Sequence, residues 1–198
     1  MFAALLDTCV LWPSLQRDVL LSWAIEDLYR PLWSSAILDE LVYHEERKLA
    51  ERLEIARSDA ERRALRLIAT MRSAFSDAEV AGWEELEGLF GLPDADDEHV
   101  LAAAVAGGAN VIVTHNLKDF PTALVPDGIK VQAPAEFARH MVTIDPAAGL
   151  RAIGHIAARS GRNGPQRTVD EVLELLVKRY GFDEAVAVLR VGRDDASV

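Results

Sequence analysis

Residues 92–121 read LPDADDEHVLAAAVAGGANVIVTHNLKDFP, and this stretch decides the fold of the chain. Four carboxylates within five residues lead into an alanine-rich run, which predicts a helix over residues 99–106. The pair Gly107-Gly108 ends that run, and the apolar residues 110–113 predict a short buried strand. A helix followed directly by a buried strand is typical of a parallel α/β sheet.

Polar side chains follow this strand directly, at Thr114, His115, Asn116 and Asp119. Ligands of open parallel sheets bind beyond the carboxyl ends of the strands, so a loop that opens a helix and a loop that follows a strand can form one pocket. Mg²⁺ and Mn²⁺ prefer carboxylate, carbonyl and water oxygens. The two acidic segments therefore suggest a hard-cation site. His115 could be a ligand, although a single histidine in a polar loop is more often simply exposed.

Further signals extend the alternation of strands and helices along the chain. Strands are predicted at residues 2–6, 32–34 and 129–131. Helices are predicted at residues 13–26, 36–53, 54–75 and 134–141, with Ser35 as the cap of the second, and the segment 76–79 predicts the start of another. The alternation indicates a parallel α/β sheet with both faces covered by helices.

The candidate acids also have ordinary structural interpretations. Asp7, at the tip of the first predicted strand, could be a turn or helix-capping residue, and Glu40, beside an apolar helical stripe, could be a solvated surface glutamate. One carboxylate among residues 94–98 would stabilise the helix dipole. Three or four exceed what capping requires, because they repel one another unless a cation or solvent separates them.

Asp145-Pro146 marks the predicted boundary between a domain of residues 1–146 and a helical extension of residues 147–198. The first part carries 13 Lys/Arg and 25 Asp/Glu, whereas the second carries 8 and 7. In the extension we predict three helices. The first covers residues 147–160, the second runs from a capping box at Thr168 and Glu171 to residue 180, and the third covers residues 182–189. Its arginines at positions 159, 162 and 167 could contact phosphates, and a solvated helix end explains them equally well.

Composition limits the classes of protein that the chain can represent. No apolar run among the 198 residues reaches the about 18 residues of a membrane span, and the N-terminus lacks the basic segment of a signal peptide. The single cysteine, Cys9, allows no internal disulfide and fits a reducing cytoplasm; we expect it to be buried and inert. A net charge of −11 argues against a simple nucleic-acid coat.

Four features follow one another in the chain: an acid after the first strand, an acid on a helix, the segment DADDEHVLAAA at a helix start, and the segment VIVTHNLKDFP. In this order they resemble the PIN domain, and most closely the subgroup that includes bacterial VapC-type toxins. The resemblance covers roughly residues 1–140, and its motifs are specific together although each is weak alone. It implies a three-layer α/β/α sandwich around a short parallel sheet, and a ribonuclease that depends on Mg²⁺ or Mn²⁺.

The resemblance also assigns roles to particular residues. The four acids of the family fall on the residues Asp7, Glu40, Asp97 and Asp119, which would act in catalysis and hold the metal. The supporting polar positions are Thr114 and Asn116, and the further candidate ligands are Asp94 and Asp96, of which Asp96 could replace or assist Asp97.

The resemblance implies partners as well: an RNA substrate, a protein antitoxin and a second copy of the chain in a homodimer. The antitoxin would lay an apolar helix in a groove near Trp12, Leu20 and Trp23. Two other functions stay open, a metal-dependent phosphatase or hydrolase of a small phosphorylated molecule and a non-catalytic PIN-like module that binds RNA. The complete set of four acids argues against the second of these.

Overall fold

The structure, a computed structural model, describes residues 2–161 and 164–195, without the side chains of residues 194 and 195. The chain forms two compact units. The sheet unit comprises Phe2–Trp12 and Pro31–Val131, and the helical unit comprises Pro13–Arg30 and the described residues from Gln132 onward. The predicted domain boundary after residue 146 falls inside the helical unit, and as a division into domains it stays a prediction.

Five parallel strands form the sheet, in the order β3-β2-β1-β4-β5. Their bounds are β1 Ala3–Leu6, β2 Arg30–Ser34, β3 Glu79–Val80, β4 Val111–Val113 and β5 Lys130–Gln132. Strands β1 and β4 are buried along their whole length, as expected for short apolar strands that are covered on both faces. Leu6 pairs with Val113, so Asp7 and Thr114 emerge at the same edge of the sheet.

Helices flank the sheet and continue beyond it, which confirms the predicted α/β fold with additional C-terminal helices. The nine helices of the described chain are α1 Thr8–Leu11, α2 Ser14–Ile25, α3 Ser35–Leu53, α4 Arg57–Ala74, α5 Glu98–Ala106, α6 Pro134–Ile144, α7 Pro146–Arg159, α8 Val169–Tyr180 and α9 Asp183–Asp195. No helix in the described part of the chain has the length and apolarity of a membrane span.

Helix α3 begins one residue earlier than predicted, and its cap is Ser34, not Ser35. Ser34 ends β2 in an extended conformation, and its hydroxyl accepts a hydrogen bond from the Ile37 amide at 3.2 Å. The exposed amides at the start of a helix need such an acceptor, and an extended residue before the first turn can supply it.

The predicted helix after residue 76 is wrong. Strand β3 lies there instead, and residues 81–92 form bends and turns with Gly82, Gly88 and Gly91 in the left-handed region. The buried carboxylate of Glu98 accepts hydrogen bonds from the amides of Phe90 at 3.2 Å and Leu92 at 2.6 Å. A side chain distant in sequence thus satisfies the backbone of this loop, which local helix-start signals do not reveal.

The helical unit has its own core, formed by α2 and the helices from α6 to α9. Trp23 is fully buried, stacks against Phe182 and donates a hydrogen bond from Nε1 to the Gly149 carbonyl at 3.3 Å. Leu20 is also buried, so two of the three side chains near which an antitoxin was predicted to bind are not exposed, and the antitoxin itself stays a prediction. These side chains are committed to the core and offer no surface.

The predicted capping box of the extension is confirmed, because Thr168 and Glu171 exchange hydrogen bonds with each other's backbone at the start of α8. Of the three arginines noted in the extension, Arg159 lies near Ser22 and Asp18, at 3.1 Å and 4.0 Å respectively. Arg162 lies outside the described residues. Phosphate contacts by this cluster stay a prediction.

Candidate active site

A cavity of about 410 Å³ opens in the sheet unit at the edge where β1 and β4 end. Its lining combines carboxylates with two histidines, a thiol, a hydroxyl, an amide and an indole: Asp7, Thr8, Cys9, Trp12, Glu40, His44, Asp94, Asp96, Asp97, His99 and Asn116. The sheet unit therefore brings the acids of three separate segments to one place, at the edge where the parallel topology predicts a site.

Asp7 lies at the floor of this cavity, with 5% of its surface exposed. Its backbone amide donates to the Val113 carbonyl at 3.1 Å, which extends the pairing of β1 and β4 by one residue. The Thr114 hydroxyl donates to Asp7 Oδ2 at 2.5 Å, and the Cys9 thiol donates to the same oxygen at 3.1 Å. Both bonds end on Oδ2, and none of the described residues bonds Oδ1.

Thr114 is itself oriented by its neighbour, because the backbone amide of Asn116 donates to the Thr114 hydroxyl oxygen at 2.9 Å. The structure therefore places Thr114 as a support of Asp7, and Asn116 as a residue that both fixes Thr114 and lines the cavity. The Thr114 hydroxyl therefore accepts a hydrogen bond from Asn116 and donates its own hydrogen to Asp7, as a hydroxyl group can do both at once.

Glu40, on α3, is held by two donors in the cavity wall. Thr8 Oγ1 donates to one carboxylate oxygen at 2.6 Å, and His99 Nε2 lies 3.2 Å from the other. Partial burial alone would raise the pKa of Glu40, but the hydrogen bonds from His99 and Thr8 outweigh it and lower that pKa. For His99, burial would lower the pKa, and the hydrogen bond and charge of Glu40 raise it overall. Glu40 is consequently an ionised, oriented carboxylate.

Asp97 ends the 3₁₀ turn Ala95–Asp97, directly before α5. Its pKa is raised to about 6, first by burial and then by the negative charges of Asp7, Asp119 and Asp94 in that order. The nearby His99 acts in the opposite direction. These carboxylates therefore lie close enough to repel one another, which is the condition that a bound cation would relieve.

The remaining acids of the central stretch differ in role. Asp94 caps the 3₁₀ turn, because its carboxylate accepts from the Asp96 amide at 3.0 Å, and both side chains are exposed. Glu98 faces away from solvent and holds the amides of the loop before it. Asp97 is half-buried and lines the cavity.

Asp119 follows β4 on a second 3₁₀ turn, Leu117–Asp119, with its carboxylate 3.9 Å from the Lys118 ammonium. It lies outside the set of residues that line the cavity, and its link to the site is its charge, which raises the pKa of Asp97. His115, considered as a ligand, is exposed, and its amide donates to the Cys9 sulfur at 3.2 Å.

Five residues that line the cavity are not among the predicted site residues: Thr8, Cys9, Trp12, His44 and His99. His99 follows Asp97 by two residues on the first turn of α5, so it reaches Glu40 on α3. Cys9 is half-buried rather than buried, and burial followed by the charge of Asp7 raises its pKa to about 12. The thiol is therefore protonated and a poor nucleophile, as expected.

Residues 3–118 match the PIN domain family, and this segment is more than half of the chain. The chain belongs to the PIN-domain family. Comparison with curated proteins and with solved structures gave no match. The matched PIN segment contains Asp7, Glu40 and Asp97 together with Thr114 and Asn116, whereas Asp119 lies one residue beyond its end.

The PIN domain is generally a nuclease fold, and PIN domains typically bind metal ions. Within the described residues of this PIN domain, no three His, Cys, Asp or Glu side chains are placed to hold one ion between them. The donor set nevertheless suits a hard cation, since carboxylate oxygens surround the cavity and Asp97 is repelled by its acidic neighbours. The residues present therefore fit Mg²⁺ or Mn²⁺ in chemistry and charge.

Proposed function

We propose that this PIN domain is an endoribonuclease that depends on Mg²⁺ or Mn²⁺ and acts as the toxin of a toxin–antitoxin pair. The observation that supports the nuclease most directly is the cavity that gathers Asp7, Glu40 and Asp97, where burial and then the charges of Asp7 and Asp119 raise the pKa of Asp97. Neighbouring carboxylates repel one another, and a bound cation would relieve that repulsion. The toxin assignment follows the resemblance to the VapC-type subgroup.

In the proposed mechanism, Asp7, Asp97 and Asp119 would hold the metal, some of them through water. A bound Mg²⁺ or Mn²⁺ ion would supply an acidified water and neutralise charge that develops on the phosphate. Thr114 fixes the rotamer of Asp7 by donating to Oδ2, and Oδ1 accepts no hydrogen bond from the described residues. Hydrogen bonds of this kind orient metal-binding carboxylates.

Glu40 plays a separate part in this mechanism. Its pKa is lowered by His99 and Thr8, so it stays ionised at neutral pH and accepts hydrogen bonds without readily taking a proton. A fixed anion of this kind orients an attacking water or holds a second cation. His99 and Thr8 position Glu40, because each donates to a different carboxylate oxygen.

The test is cleavage of a labelled RNA in Mn²⁺ by the wild type and the variants Asp7→Asn and Asp97→Asn. We expect both substitutions to abolish cleavage while circular dichroism stays unchanged. Asp127→Asn is the matched control, because Asp127 is an exposed aspartate of the sheet unit that does not line the cavity. Undiminished cleavage by both Asp7→Asn and Asp97→Asn would overturn the proposal.

Other outcomes of the same assay identify the competing functions. Release of phosphate from monoesters without action on RNA would indicate a phosphatase, and RNA binding without cleavage in Mn²⁺ would indicate a non-catalytic module. A protein antitoxin, a homodimer and a cytoplasmic location stay predictions of the toxin proposal. Co-expression with the neighbouring gene product and size-exclusion chromatography test the first two.

A further inference from the structure

A second groove, of about 430 Å³, lies in the sheet unit beside the candidate active site. Its lining residues are Trp12, His44, Arg47, Lys48, Glu51 and Arg52, and we call it the aromatic–basic groove. Trp12 and His44 also line the cavity that contains Asp7 and Asp97. The groove and the carboxylate cavity are therefore continuous.

Trp12 is the most unusual residue of this groove. It is 41% exposed, whereas Trp23, Trp33 and Trp83 are buried. Its ring lies 6.0 Å from the His44 ring, and the Lys48 ammonium lies 5.8 Å from the indole centroid. Lys48 also donates to the Trp12 carbonyl at 3.3 Å, so both backbone and ring of this exposed tryptophan are held in place.

The charge of the groove differs from that of the whole protein. Three cations and one anion line it, although the chain carries a net charge of −11. Arg47 pairs with Glu51 at 3.8 Å and lies over the Tyr43 ring at 5.7 Å, and Lys48 pairs with Glu45. Arg52, in the last turn of α3, is exposed. Since Arg47 and Lys48 each pair with a carboxylate, the excess positive charge of the groove comes from Arg52, and it favours a polyanion as the occupant.

We infer that the aromatic–basic groove binds single-stranded RNA, with one base stacked on Trp12 and the adjacent phosphates near Arg47, Lys48 and Arg52. Aromatic side chains interleaved with cations bind single strands in this way, since every base has a stacking face and every linkage a negative charge. A base within a duplex does not offer its face, so the groove favours single-stranded over double-stranded RNA. This inference rests on the proposed function in one respect: the RNA strand is taken to continue from the groove toward Asp7.

The experiment measures binding of the protein to a labelled ten-nucleotide oligouridylate by fluorescence anisotropy. EDTA is present, so that metal-dependent cleavage does not occur. We expect Trp12→Ala to weaken binding about tenfold and Trp12→Phe to weaken it less than about threefold, because phenylalanine keeps a stacking face. Phe2→Ala is the matched control: Phe2 is 40% exposed and precedes β1, whereas Trp12 lies beyond the other end of that strand. We expect this control to bind like the wild type.

A second variant addresses the phosphate contacts and carries no risk of unfolding the core. Arg52→Glu reverses an exposed charge, and we expect weaker binding at low salt together with a shallower dependence of affinity on salt concentration. The same sequence annealed into a duplex should bind more weakly than the single strand.

The outcomes separate this inference from the proposed function. If Trp12→Ala and Arg52→Glu both bind the oligonucleotide like the wild type, the inference is overturned, whether or not the protein cleaves RNA. If binding depends on Trp12 but no cleavage occurs in Mn²⁺, the groove assignment stands and the nuclease proposal fails. If RNA binding is unchanged but Trp12→Ala loses a co-expressed protein partner, the groove is a protein-docking site and the inference is wrong.

Discussion

Replacing Asp97 with asparagine should stabilise the metal-free protein at neutral pH while it removes activity. The pKa of Asp97 lies at about 6 in the folded chain, above the ordinary value of 3.8, because burial and the charges of Asp7, Asp119 and Asp94 disfavour its ionised form. An ionised Asp97 therefore destabilises the folded state. Asparagine has nearly the same shape and carries no charge, so it removes that repulsion.

The size and the pH range of this effect follow from the same shift in pKa. A difference of this size corresponds to at most about 3 kcal/mol, since one pKa unit is about 1.4 kcal/mol. Asp97 is partly exposed, so solvent screening reduces the expected gain to about 1 kcal/mol. Because the folded pKa is the higher one, the destabilisation by Asp97 develops as pH rises from about 4 through about 6 and is complete above it.

Urea denaturation in EDTA, followed by circular dichroism, measures this difference. We expect a higher midpoint for Asp97→Asn than for the wild type at pH 7.5, and a gap that closes as the pH is lowered toward 4. Asp96→Asn, the exposed neighbour, should change the midpoint much less. A gap that is absent at pH 7.5, or equally large at pH 4, would refute the argument that charge repulsion at Asp97 destabilises the fold.

Three further predictions concern residues around the site. His99→Ala should reduce cleavage about tenfold to a hundredfold and move the acidic limb of the pH–rate profile upward, since Glu40 loses the donor that lowers its pKa; an unchanged profile would contradict this. Glu98→Ala should cost about 1–3 kcal/mol in urea denaturation regardless of Mn²⁺, because the buried Leu92 amide loses its acceptor; a loss confined to activity would instead place Glu98 in catalysis. Cys9 should resist alkylation by iodoacetamide at pH 8, followed by mass spectrometry, because its pKa is about 12; rapid modification would show a reactive thiolate.

The parts of the fold predicted from the sequence are those that depend on local pattern. The strands before Asp7 and Thr114 are short, apolar and followed by polar residues, so their position and their common edge follow from periodicity and parallel topology. The start of α8 follows from the reciprocal hydrogen bonds of Thr168 and Glu171, which need no tertiary partner.

The errors lie where distant groups decide the local structure. Residues 81–92 carry a helix-start signal before them, yet the loop is stabilised by the Glu98 carboxylate and by glycines in the left-handed region. Trp23 and Trp12 are both tryptophans among apolar neighbours, and only packing shows that the first is core and the second exposed. Sequence pattern alone does not distinguish these environments.

The candidate site was likewise predictable in part. The supporting role of Thr114 agrees with its hydrogen bond to Asp7, because both follow paired strands. Local sequence does not show which of the four adjacent acids faces the carboxylates of the other segments. Successive residues of a helix differ in direction by about 100°, so Asp97 and Glu98, at the start of α5, point to different sides. The contact of His99 with Glu40 depends on the packing of α5 against α3 and has no local signal.

Calorimetric titration of Mn²⁺ into the wild type, Asp97→Asn and Asp96→Asn tests most directly whether these carboxylates form a metal centre. We expect the wild type and Asp96→Asn to bind Mn²⁺ in the same way, and Asp97→Asn to lose that binding, because Asp97 is the acid whose charge the cation offsets. Equal binding by all three proteins, or no binding by the wild type at millimolar Mn²⁺, would contradict the assignment of Asp7, Asp97 and Asp119 as the metal site.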